Sequence, residues 1–257
     1  MYIDSHAHLT GADVFDDIDA ILERAQIAGV DAILNICTDI ASLEKGLELA
    51  KRVPWVYNVA STTPHDVEKE GEAVFITMAQ AAKSGQLVAI GETGLDYHYK
   101  LSDIEIQKDF FRRYLRLAIE CELPVVIHCR DAFEDFFQIV DEEYVVDGTT
   151  RKGLLHCFTG TADEAQQLLK RGWSISFSGI VTFKNSSDLR SIVADMPSDR
   201  FLIETDTPYL APQKWRGKRN EPSYLPETAR VISALRGISQ EEVGRLAAEN
   251  TRHLFNI

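Results

Sequence analysis

Eight short apolar runs, each followed by a stretch with helical periodicity, leave this chain few folds to choose from. The first run opens at Tyr2 and Ile3, and the others are Val30–Cys37, Trp55–Ala60, Leu87–Gly91, Pro124–His128, Gly153–Cys157, Trp173–Phe177 and Arg200–Glu204. They are near-continuous apolar stretches rather than strict alternations, the pattern of parallel strands covered on both faces. Helices are expected between them over Asp16–Ala28, Ser42–Arg52, Val74–Ser84, Ser102–Cys121, Asp131–Val140, Thr161–Lys170 and Leu189–Asp195, then Leu225–Arg236 and Glu241–Phe255. Capping boxes at Ser102/Glu105, Thr161/Glu164 and Ser239/Glu242 mark three helix starts. Glu142–Arg151 reads as an acidic loop. Eight strand–helix units within 257 residues predict one domain, residues 1–257, folded as an α/β, (β/α)8 TIM-type barrel with an extra C-terminal helix. A doubly wound open sheet is the alternative.

The net charge of −13 argues against tight non-specific binding to duplex DNA, which needs many lysine and arginine contacts. It leaves room for an enzyme that grips one strand end through metals and a few local cations. No apolar run approaches the ~20 residues of a membrane span. The N-terminus opens directly on a strand, so a cytoplasmic protein with no membrane partner is expected. Cys37, Cys121, Cys129 and Cys157 form no CxxC pair and read as small core residues of a reducing compartment.

In such a barrel the chemistry sits at the C-terminal ends of the strands. Reading only those ends gives His6 and His8 after Tyr2-Ile3, Glu92 after the fourth strand, His128 and His156 at the fifth and sixth, and Asp206 after the eighth. Alternation along a strand turns Asp4, His6 and His8 to one face. Imidazoles and carboxylates together suit Zn²⁺, Mn²⁺ or Mg²⁺. The set divides between two divalent ions, with His6, His8 and Asp206 on one, His128 and His156 on the other, and the two oxygens of Glu92 bridging. Two ions ~3.5–4 Å apart clamp both the attacking and the leaving oxygen of a phosphoryl displacement. Glu92 and Asp206 are therefore the catalytic candidates, with Asp206 positioned to orient the attacking water or take its proton. Asp4 and Glu204 are expected behind the ligands, holding them in place.

At this point the chain resembles the TatD family of metal-dependent deoxyribonucleases, among the amidohydrolase-like barrels. The matching stretches are DSHAHL (Asp4–Leu9), GETGLDYH (Gly91–His98), PVVIHCRDA (Pro124–Ala132), LLHCFTG (Leu154–Gly160), IETDTPYLAP (Ile203–Pro212) and RGKRNEP (Arg216–Pro222). The resemblance implies two divalent cations on His6, His8, Glu92, His128, His156 and Asp206. It also implies hydrolysis of DNA phosphodiester bonds, often as a 3′-to-5′ exonuclease on single-stranded ends. One departure stands out. The family carries Gly-x-His-Pro-His after the third strand, and here Ser61-Thr62-Thr63-Pro64-His65 puts Thr63 in place of a histidine placed to meet the substrate phosphate. A threonine hydroxyl still donates a hydrogen bond but carries no charge. His65 is a candidate substitute.

Further substrate contacts are expected from Arg130, and from Arg219 and Asn220 in the basic loop Lys214–Asn220, where Trp215 offers a base-stacking surface. Tyr97 and His98 are candidates for the mouth of the site. Two alternatives to a nuclease remain. One is a deacylase or amidase acting on an ester or amide such as a D-aminoacyl-tRNA, since the same metal chemistry attacks a carbonyl carbon. The other is a non-catalytic metal-binding barrel acting as an interaction protein, motivated only by Thr63.

Overall fold

In the computed structural model, which describes residues 1–257, eight parallel strands stand side by side in chain order. They are β1 (Tyr2–Ala7), β2 (Val30–Cys37), β3 (Val56–Ala60), β4 (Ala89–Asp96), β5 (Val125–Arg130), β6 (Gly153–Leu155), β7 (Ser174–Phe177) and β8 (Phe201–Ile203). The ring closes just beyond β8, where Ala7 bridges Thr207 in parallel. There the His8 N–H donates to the Thr207 carbonyl at 2.7 Å and the Asp206 N–H to the His6 carbonyl at 2.9 Å. This sequential, closing order excludes the doubly wound sheet, whose strand order reverses midway.

Helices α1 (Ile18–Ile27), α2 (Ile40–Arg52), α3 (Val67–Lys83), α4 (Ile104–Glu120), α5 (Phe133–Glu143), α6 (Ala162–Lys170), α7 (Ser187–Asp195) and α8 (Leu225–Arg236) follow the strands in turn. The extra helix is α9 (Gln240–Phe255). Between strands and helices lies a large apolar layer, with Trp173 fully buried edge-on to Phe136 at 5.4 Å. A second, smaller cluster fills the barrel itself. Ile3, Leu34, Val59, Val126, Leu154 and Leu202 supply it from six strands, and Ala248 and Phe255 join it from α9. Asn250 on α9 donates to the carbonyl of Phe201 at the start of β8. The terminal helix thus plugs the end of the barrel where strands begin, leaving the other end for chemistry.

The structure differs from the sequence expectation in four places. Strand β4 runs on to Asp96 rather than stopping at Gly91, so Glu92 lies within the strand. Glycine is depleted in strands, which hid the extension. Here Gly94 is needed: its φ is +137°, and a Cβ there would lie 1.9 Å from the His128 carbonyl oxygen. Helix α3 begins earlier, at Val67, with non-helical backbone at Gly71 where the Phe110 ring packs close. The cap of α4 is Asp103, which accepts from the Glu105 and Ile106 amides. Ser102 instead donates to the carbonyl of His65 at 2.8 Å, tying down the loop after β3. Finally, the stretch read as an acidic loop begins with the last residues of α5 and contains a small antiparallel hairpin pairing Val145–Val146 with Thr149–Thr150.

Phe136 stacks on Phe111 at 5.9 Å and meets Phe133, Phe137 and Trp173, with no exposed surface. Phe136→Ala should destabilise the fold by about 3–5 kcal/mol, read as a lower midpoint in denaturant unfolding. A loss below about 1 kcal/mol would contradict tight packing of this layer.

Candidate metal centre

Every strand-end candidate converges on one mouth. β1 carries His6 and leads directly to His8, β4 carries Glu92, and β5 carries His128. His156 follows β6, and Asp206 follows β8. Asp206 and Cys157, the residue after His156, adopt left-handed backbone at φ +61° and +46°. For residues other than glycine, such strain persists where the surroundings over-determine it, and it clusters at functional sites.

Around His6 and His8 the side chains of Glu92 and Asp206 approach both imidazoles. The Nε2 atoms of the two histidines are 3.3 Å apart. Glu92 Oε2 lies 3.3 Å from the first and 3.5 Å from the second. Asp206 Oδ1 lies 3.7 and 3.6 Å from them. Bonds of about 2.1 Å to a tetrahedral ion put its ligands ~3.4 Å apart, so the spacings among His6, His8 and Glu92 fit three donors sharing one cation, with Asp206 beside the two histidines. The other oxygen of Glu92 faces the second cluster, 2.8 Å from His156 Nε2 and 3.1 Å from His128 Nδ1. The His6 and His156 rings stack at 3.9 Å, packing the two clusters together.

The buried imidazoles and carboxylates shift one another's protonation in different directions. Burial, and then the charge of His156, hold His6 below its ordinary value, favouring the neutral imidazole that binds metal. Burial also opposes a charge on His156, but Glu92 and Glu204 outweigh it and hold the ring well above the usual imidazole range. Burial pushes the Glu92 carboxyl up, yet His156, His128 and His6 together hold it well below the usual carboxylate range. Glu92 is therefore the fixed negative charge at the centre.

Behind these groups stand three buried carboxylates. Glu204, fully buried, accepts from the Ser176 hydroxyl and puts Oε1 3.5 Å from His156 Nδ1. Asp4, also fully buried, accepts from the Thr205 amide and hydroxyl and from the His6 amide. It touches no imidazole; it locks the Asp206 segment to β1, and burial pushes its carboxyl up to about 7. Asp96 was missed by the sequence reading. It lies four residues beyond Glu92 on the same strand, and that even spacing, which places both on one face, was the available signal. Asp96 Oδ2 accepts from His128 Nε2 at 2.8 Å and from His65 Nε2 at 3.0 Å. Its Oδ1 accepts the amides of His98 and Tyr99. Bonding His128 through Nε2 leaves Nδ1 turned toward Glu92, the arrangement by which an outer carboxylate fixes a metal-binding histidine.

The mouth is a cavity of about 710 Å³. Thr63, His65 and Arg130 line it, together with Tyr99 and Tyr209. The Thr63 hydroxyl donates to Asp66, and the Arg130 guanidinium lies over the Tyr99 ring, 4.8 Å from its centre. The basic loop does not join this cavity. Arg219 pairs with Asp17 at 2.7 Å and bonds the Asp13 carbonyl. Asn220 is buried and donates to the carbonyls of Thr205 and Tyr209, bracing the Asp206 segment from behind. Trp215 is stacked on Tyr224 at 4.1 Å. Tyr97 donates to Asp135, and His98 pairs with Asp131, both outside the cavity lining. These residues looked functional because charge and aromaticity in a loop do not reveal which partners lie across the fold.

Asp96→Asn keeps one oxygen for the backbone amides and turns an NH₂ toward two imidazole N–H groups. It should lower affinity for Mn²⁺ or Zn²⁺ by about 10–100-fold, measured by calorimetric titration, with far-UV circular dichroism unchanged. Undiminished affinity would show that His128 needs no such fixing.

The profile of the family described as TatD related DNase matches residues 3–256. The metal-dependent hydrolase YabD of Bacillus subtilis is 38% identical, each chain covered completely. A protein of Erwinia tasmaniensis named 3′-5′ ssDNA/RNA exonuclease TatD is 35% identical over 99% of both chains. The crystal structure of YjjV, a TatD homologue of Escherichia coli K12, superposes with a TM-score of 0.91 at 28% identity, covering 100% of this chain and 98% of that one. No helix is long and apolar enough to cross a membrane. This chain belongs to the TatD-related DNase family of metal-dependent hydrolases.

Proposed function

We propose that the protein removes nucleotides from the 3′ end of single-stranded DNA with two divalent ions, one at each histidine cluster. The observation that carries this reading is the Glu92 carboxylate, which turns one oxygen to His6 and His8 and the other to His128 and His156. When bound, such ions polarise a phosphate and make water nucleophilic at neutral pH. The chain's own residues do the rest. Glu92, together with the histidines of each cluster, would hold the ions. Asp206, beside His8, is placed to take a proton from the attacking water. Arg130 faces the cavity, where a phosphate oxygen would accept its hydrogen bonds, while the Thr63 hydroxyl donates to Asp66. The exonuclease name of the Erwinia tasmaniensis relative supports both the substrate and the polarity.

A neighbouring groove favours an end over a through-running strand. It adjoins the cavity at Thr159 and Ile180, and five carboxylates line it with no lysine or arginine: Asp131, Glu134, Glu164, Asp188 and Asp195. A polyanion is repelled from that side.

The ester or amide reading keeps one observation in its favour: Arg130 is the sole lysine or arginine in the cavity lining, with Thr63 where the family has a histidine. Membership of a hydrolytic family sets aside the non-catalytic alternative.

A 5′-labelled single-stranded oligonucleotide with Mg²⁺ or Mn²⁺ should give a descending ladder that a chelator abolishes. Glu92→Gln should lower that rate by at least a hundredfold, about the upper end for losing a residue behind a ligand. An uncut oligonucleotide alongside turnover of an aminoacyl ester would replace the nuclease reading with the deacylase one.

A further inference from the structure

Few large apolar or aromatic side chains of this protein are strongly exposed, and two of them, Tyr99 at 55% and Tyr209 at 60%, stand at the mouth of the cavity. They stand beside different clusters. The Tyr209 ring is 5.9 Å from His8, in the cluster completed by His6 and Asp206. The Tyr99 ring is 5.7 Å from His65, which in turn lies 5.4 Å from His128 in the second cluster.

Both are held from behind. The Tyr99 amide donates to Asp96 Oδ1 at 2.8 Å, the same carboxylate that fixes His128. The Tyr209 amide donates to the Asp206 carbonyl at 2.7 Å, and its own carbonyl accepts from Asn220. Arg130 backs the Tyr99 ring. Rings so anchored lose little entropy on contact with a ligand. Trp215 differs, since Tyr224 already stacks on it.

We propose that Tyr99 and Tyr209 are base-stacking platforms on either side of the scissile phosphate, so that the site binds two consecutive unpaired nucleotides. This rests on the nuclease reading above and adds the origin of its strand preference. A phosphate held between the clusters has one nucleoside toward His8 and the other toward His65 and His128. Each base then meets an exposed ring. Stacking on an aromatic side chain tolerates any base but requires a free base face, which a paired and stacked duplex does not offer. Preference for single strands thus comes from the rim and not from the metal ligands.

The test is a double-mutant cycle between ring and base. Oligonucleotides carrying an abasic residue at the terminal or the penultimate position are compared with the intact strand in kcat/KM. For the wild-type enzyme, removing either base should lower kcat/KM about tenfold. In Tyr99→Ala the intact-to-abasic ratio should fall to about one at one of the two positions. In Tyr209→Ala it should do so at the other. Tyr99→Phe and Tyr209→Phe should restore the wild-type ratios, because stacking does not use the hydroxyl. Ratios that persist in both alanine variants, or that phenylalanine fails to restore, overturn the platforms while leaving the nuclease intact. A wild-type enzyme that cleaves no strand overturns the nuclease reading and the platforms with it.

Discussion

The centre of this protein depends on one ionised carboxylate. Glu92 is buried, and its charge is stabilised by the histidines around it. A lone buried carboxylate would become protonated, since burial disfavours the charged form. Here the two oxygens are divided, one to each cluster, so that removing either cluster leaves half of the carboxylate unmatched. Much of the surrounding structure serves to keep that division. Gly94 lets β4 approach the backbone of His128. Asp96 fixes His128 by its far nitrogen, Glu204 backs His156, and Asp4 ties the Asp206 segment to β1.

The barrel separates stability from chemistry. At the end where the strands begin, Ile3, Leu202 and neighbours pack on Phe255 of the terminal helix. At the other end the interior turns polar, and hydrogen bonds close the ring through Thr207 and His8. The layer between strands and helices, built on residues such as Trp173 and Phe136, carries most of the apolar burial. Substitutions at the mouth therefore act on binding and rate more than on folding, which suits a fold whose activities vary through loops while the frame stays.

Much of this was legible in the sequence, because parallel strands buried on both faces announce themselves as apolar runs and their ends carried the histidines. The eight units, their order and the six residues at the centre follow from that pattern alone. The rest needed three dimensions. Asp96 was hidden in a strand whose glycines argued against a strand. Asp103 and Ser102 are adjacent and chemically alike, so the sequence did not tell which one caps α4 and which one ties the loop of His65. Arg219 and Asn220 looked like substrate contacts, and only the fold reveals that Asp17 and two backbone carbonyls already hold them. Tyr99 and Tyr209 carry no motif of their own; what distinguishes them is exposure at one cavity.

The account's central claim is that Glu92 lies between two ions. Anomalous diffraction at the manganese edge from crystals loaded with Mn²⁺ tests it directly. The claim requires two peaks about 3.5–4 Å apart, one within bonding distance of Glu92 Oε2 with His6 and His8, the other of Oε1 with His128 and His156. A single peak, or two peaks with Glu92 bonded to only one, would contradict it.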